Sequence, residues 1–104
     1  MAADVFLPLH EKLKGWDGFV SLELNHHLAR DREATIAEAR RLWRELNHPN
    51  VFIEVPATLE GLLAISQLTS EGINVNVTLI FGLPRYNQVA EAYIAGLEKR
   101  LAQG

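Results

Sequence analysis

Six side chains of this sequence combine chemically useful types with spacings that can bring them together: Ser21, Glu23, Glu54, Asn74, Asn76 and Thr78. Each lies in a stretch that alternates apolar and polar residues, so positions two apart share one side of a strand. Ser21, Glu23 and Asn25 form one such series, and Asn74, Asn76 and Thr78 form another. Glu54 is the polar member of the short run from Val51 to Val55. If these strands lie side by side, the groups converge on one face. Two carboxylates there can trade protons as acid and base, as the pairs of glycosidases do. The surrounding amides and hydroxyls suit a small polar ligand.

Other chemistry is excluded or outweighed. With no cysteine in the chain, disulfides, thiolate catalysis and cysteine zinc sites are ruled out. His26 and His27 are neighbours at a strand end and point to opposite sides, so solvated loop histidines are favoured over a shared metal. His10 and His48 carry no ligand spacing. There is no glycine-rich phosphate loop, and Gly15-Trp16-Asp17-Gly18 reads as a turn. Trp16 and Trp43 read as packing residues, and Arg40, Arg41 and Arg44 as a solvated helix face. No metal or cofactor is expected.

The elements that position the six groups follow from periodicity. A helix is predicted over roughly 2–13, with Val5, Phe6, Leu9 and Leu13 on one face, although Pro8 interrupts it. A strand follows from Gly18 to Asn25. Asp31 caps a helix that runs to about Leu46, and Asn47, Pro49 and Asn50 stop it. Val51 to Val55 is a second strand, ended by Pro56. Thr58 caps a third helix, buried through Leu62, Ile65 and Leu68, with Gly72 just past its end. Ile73 to Phe81 is the third strand. A last helix opens at Pro84 and is expected to pack through Tyr86, Val89, Tyr93 and Leu97.

Strands separated by helices of this length imply βαβ units, a parallel sheet and right-handed crossovers. The fold class is α/β, one domain over 1–104. Strands of a doubly wound sheet are apolar on both faces, whereas these are apolar on one and largely polar on the other. That suits the wall of a TIM (βα)8 barrel, with helices outside and a site inside. The alternative is an ordinary solvent-exposed face of an open sheet. Three strands cannot close an eight-stranded barrel, so two edges stay open and self-association into a homo-oligomer is expected.

Composition bounds the partners. Thirteen acidic and ten basic residues give a net charge of −3, and no basic tract runs along the chain. Nucleic acid and anionic membranes therefore have nothing to grip. No apolar run approaches the roughly 20 residues that span a bilayer. The first ten residues lack the basic segment of a secretory signal. A cytoplasmic protein is expected.

Several stretches together resemble the transaldolase family. They are Gly18-Phe-Val-Ser-Leu-Glu-Leu, His27-Leu-Ala, Thr35-Ile-Ala-Glu-Ala-Arg-Arg-Leu-Trp and Asn50-Val-Phe-Ile-Glu-Val-Pro-Ala-Thr. Glu71-Gly-Ile-Asn-Val-Asn-Val-Thr-Leu and Val89-Ala-Glu-Ala-Tyr-Ile-Ala-Gly-Leu-Glu continue the series. The likeness covers nearly the whole chain in one register and corresponds to a central slice of the family's longer barrel. It implies a transferase of the pentose phosphate pathway, which moves a dihydroxyacetone unit between sugar phosphates through a lysine Schiff base without a metal. By the resemblance, Glu23 matches a glutamate that manages protons through a water. Asn76 and Thr78 match residues that hold the intermediate and that water, and Ser21 and Asn74 match residues lining the pocket.

One departure decides the chemistry. The family's Ile-Lys-Val-Pro-Ala-Thr reads Ile53-Glu54-Val55-Pro56-Ala57-Thr58 here. A carboxylate cannot condense with a ketone to an imine, because that step needs an unprotonated amine. Lys12, Lys14 and Lys99 fall outside the inner strand positions. Glu54 also sets a second negative charge beside Glu23, where the family has a cation. His26 departs as well, standing where relatives often have proline. The strand with the family's aspartate acid/base, and the later arginine and serine that hold phosphate, have no counterpart here. The expectation is a transaldolase-like segment inactive alone. The alternative is a self-associating module that holds a sugar phosphate or other small polar ligand on its inner face.

Overall fold

A computed structural model describes residues 2–15, 17–24 and 31–104. The elements are α1 (Ala2–Lys12), β1 (Val20–Glu23), α2 (Arg32–Leu46), β2 (Val51–Pro56), α3 (Leu59–Ser70), β3 (Val75–Thr78) and α4 (Leu83–Ala102). The three strands form one parallel sheet in the order β1-β2-β3. Among the described residues β1 and β3 are open edges. The architecture is the expected α/β arrangement of a partial TIM barrel.

The core forms where β2 meets the helices on one side of the sheet. Val51, Ile53 and Val55 point there at alternate positions and are fully buried. Ile36 and Ala39 of α2, Ala64, Ile65 and Leu68 of α3, and Ile73 join the cluster, with Ala3 and Leu24 at its margin. Removing this apolar area from water is the main stabilising term.

Local signals set the helix ends. The Asp31 carboxylate accepts from the Ala34 N–H at 2.9 Å and starts α2. Asn47 ends it in the left-handed conformation, a cap that asparagine tolerates. The Thr58 hydroxyl accepts from the Gly61 N–H at 3.0 Å and starts α3. Gly61 is required there, since a Cβ would stand 1.9 Å from the Pro56 carbonyl oxygen. A two-pronged ion pair joins α2 to the end of α3: Arg40 donates to both Glu71 carboxylate oxygens, at 2.7 and 2.6 Å.

α1 lies against the start of the sheet. The buried Asn50 side chain donates to the carbonyls of Ala3 at 2.8 Å and Gly18 at 3.0 Å. A Cβ at Gly18 would sit 2.6 Å from the His10 backbone nitrogen, so glycine lets the two segments touch.

Four expectations change. The third strand is shorter than Ile73–Phe81, because Leu79 takes φ +57° and breaks the alternation. The buried residues of α1 are Ala3 and His10, while Val5, Phe6, Leu9 and Leu13 stay exposed, since the sheet covers the opposite side of the helix. α4 packs through Val89, Ala92 and Gly96; Tyr86, Tyr93 and Leu97 remain exposed. The crossing onto α3 is too close for large residues, for a Cβ at Gly96 would be 2.6 Å from the Ser66 carbonyl oxygen. The first strand is also trimmed, to Val20–Glu23, and Asn25 lies outside the described residues. Among the described residues no helix is long and apolar enough to cross a membrane.

Candidate functional site

Strand register brings the carboxylates together. Glu23 of β1 pairs with Glu54 of β2, and Glu54 pairs with Asn76 of β3. Parallel neighbours are about 4.8 Å apart, so the three form one row across the sheet face away from the core. Glu54 is half-buried in the middle of that row, and Glu23 and Asn76 are exposed at its ends.

Ser21 sits one step down, beside Phe52. The Asn76 side-chain amide donates to the Ser21 hydroxyl at 3.1 Å. That bond passes over β2, so side chains of the two outer strands meet across the central one. Thr78 stands one step up, beside Pro56. Asn74 behaves differently. Its amide turns to the backbone and donates to the carbonyls of Pro49 at 3.1 Å and Val51 at 3.3 Å. Glu23, Glu54, Asn76 and Ser21 are thus one cluster, Thr78 borders it, and Asn74 is committed to holding the start of β2.

An aromatic floor lies beneath the cluster. The Phe19 and Phe52 rings are 4.5 Å apart, and His10 meets Phe19 edge-on at 4.7 Å. The His10 Nδ1 bonds the Asp17 carbonyl oxygen at 2.9 Å, so the imidazole is fixed from α1. Sequence reasoning treated His10 as ordinary and gave neither phenylalanine a role, although alternation puts Phe52 on the face of Glu54. The signal was available, because Phe19 precedes Ser21 and Phe52 precedes Glu54 by the same step of two.

Chemically, the row is anionic. Among the described residues neither Glu23 nor Glu54 has an ion-pair partner. All three lysines are elsewhere: Lys12 ends α1, Lys14 follows it, and Lys99 is far along α4. Two carboxylates, an amide and a hydroxyl can accept hydrogen bonds from hydroxyl groups and move protons. They cannot make an imine. Among the described residues no cluster of histidine, aspartate and glutamate can hold a metal ion, and His26 and His27 lie outside them.

Comparison with known proteins adds a lineage to this geometry. A profile of the family described as Transaldolase/Fructose-6-phosphate aldolase matches residues 1–102. A transaldolase of Thermobifida fusca is 54% identical over 103 residues. Transaldolases of Acidothermus cellulolyticus and Trichodesmium erythraeum are 52% and 48% identical over the same length. Each alignment takes in 99% of this chain but only 27–28% of the relative. The chain therefore spans somewhat more than a quarter of the relatives it matches.

Proposed function

Since this chain belongs to the transaldolase/fructose-6-phosphate aldolase family, we propose that it is a transaldolase-type barrel segment that has lost Schiff-base chemistry and kept the polar inner face. The observation that carries the reading is the pairing of Glu23, Glu54 and Asn76 in one row. Glu54 occupies the centre of that face, at the position the family gives to its lysine. Glu23 and Thr78 are the remaining groups of the catalytic set, and Ser21 and Asn76 those of substrate binding, while Asn74 is taken up by the backbone of β2. Without an amine the face retains the capacity to bind hydroxyl groups of a sugar phosphate or similar polar molecule, but not to carry a dihydroxyacetone unit. Membership of this family supports a cytoplasmic location for the protein.

Borohydride trapping tests this, because it reduces an imine to a stable amine that mass spectrometry locates. The chain incubated with dihydroxyacetone should show no adduct beyond background on Lys12, Lys14 and Lys99. Glu54→Lys should acquire one at residue 54. A substrate-dependent adduct or coupled transaldolase activity on the unaltered chain would sink the proposal.

A second reading rests on the open edges of β1 and β3. Unpaired edges template further strand pairing, so the chain assembles as a homo-oligomer that covers them. Solution mass is the check. A monomer at high concentration removes this reading and leaves the first untouched.

A further inference from the structure

A separate cleft of about 360 Å³ opens beyond the ends of β2 and β3. Ala57 and Thr58, just after β2, form one wall, and Leu79 and Phe81, just after β3, form the other. Arg85, in the first turn of α4, reaches in. Its Nη1 is shielded from solvent and has no hydrogen-bond partner among the described residues. Among the described residues no acidic side chain lines the cleft.

A buried guanidinium N–H without an acceptor is unfavourable, and a charged donor more so, so Arg85 gains when a small turn of its side chain brings Nη1 to an acceptor in the cleft. The helix ends beside it add positive potential. α4 begins at Gly82 with no side-chain cap, so its first N–H groups remain available. α3 begins beside Thr58 on the opposite wall. Exposed Leu79 and Phe81 offer an apolar shelf next to the cation.

We infer that this cleft binds the phosphate or carboxylate group of a small molecule on the Arg85 guanidinium, with the molecule's carbon portion resting on Leu79 and Phe81. Arginine suits this, since its planar fork meets either group with two parallel N–H donors. The site is distinct from the row of Glu23, Glu54 and Asn76, whose charge is of the opposite sign. It also differs from the phosphate-binding arginine and serine that the family carries on later strands. The inference stands whatever the fate of Glu54.

The test is a titration of the ¹⁵N-labelled 104-residue chain with inorganic phosphate, and separately with acetate, against chloride at matched ionic strength. Phosphate should shift the Arg85 Nε–H signal and the backbone signals of residues 79–86, saturating with a dissociation constant on the order of a millimolar. Arg85→Gln should weaken this about tenfold or more while leaving signals of β2 and α3 in place. Arg85→Lys, which keeps the charge without the fork, should bind between the two. A matching acetate response assigns the site to both anion types, and a phosphate-only response assigns it to phosphate esters. Shifts that never saturate, or that persist unchanged in Arg85→Gln and Arg85→Lys, would overturn the inference.

Discussion

The region where α2 and α3 cover β2 and the outlying parts of the fold, α1 beside β1 and α4 with the end of β3, use the same kinds of residue with opposite outcomes. In the first, Ile53, Ile65 and Leu68 are completely buried. In the second, Phe81 is 79% exposed and Leu101 82% exposed, and Val5, Leu83 and Tyr86 are open as well. A pattern of apolar residues therefore reports a face built for burial. It does not report what covers that face. The relatives the chain matches are more than three times as long. The largest expected contrast follows directly. Leu68→Ala should lower stability by about 2–5 kcal/mol, the usual cost of emptying a core site. Phe81→Ser should change it by about 0.5 kcal/mol or less, as at other exposed positions. Urea unfolding of both variants checks this, and equal losses would erase the distinction between the regions.

A smaller effect probes the seam between the regions, where α4 crosses α3. Gly96→Ala adds only a methyl group, yet its Cβ would lie 2.6 Å from the Ser66 carbonyl oxygen and 2.7 Å from the Thr69 Cβ. Overpacking of this kind costs about 1–3 kcal/mol, although alanine is the better helix former. If Gly96→Ala were neutral or stabilising in urea unfolding, α4 would not be seated as closely as the geometry states.

That seam also shows what could be read from the sequence and what could not. Asp31 and Thr58 were legible as caps because a cap is a local event, a side-chain oxygen meeting an N–H three residues on. The row of Glu23, Glu54 and Asn76 was legible because period two fixes the face and βαβ connections make the strands parallel. Gly96 was invisible, since a hydrophobic pattern weighs side chains and the crossing depends on the lack of one. Tyr86, Tyr93 and Leu97 therefore took its place in the reading. Leu79 was missed for another reason: nothing in its type announces a left-handed backbone that ends β3 early. The turn of Asn74 toward Pro49 and Val51 depends on how loops settle, which alternation does not encode.

The smallest effects separate the two regions by the sign of their pH dependence. Between α2 and α3, the Arg40 guanidinium holds the Glu71 carboxyl below its ordinary 4.5. A depressed folded value means that the contribution is complete above about 4.5 and fades as pH falls through the lower, folded value. At α1, His48 bonds the Leu46 carbonyl and the Asp4 carboxylate, and these raise its pKa above the ordinary 6.5. Here the contribution is complete below about 6.5 and fades as pH rises through the folded value. Both pairs are largely solvated, so each effect should be slight. Amide exchange resolved by element is the suitable measurement. Acid should loosen the α2–α3 junction, an effect that Glu71→Gln removes. Mild alkali should loosen α1, an effect that His48→Gln removes. If both regions lost protection in the same direction, the two contacts would not be local clamps, and one global opening would govern the molecule instead.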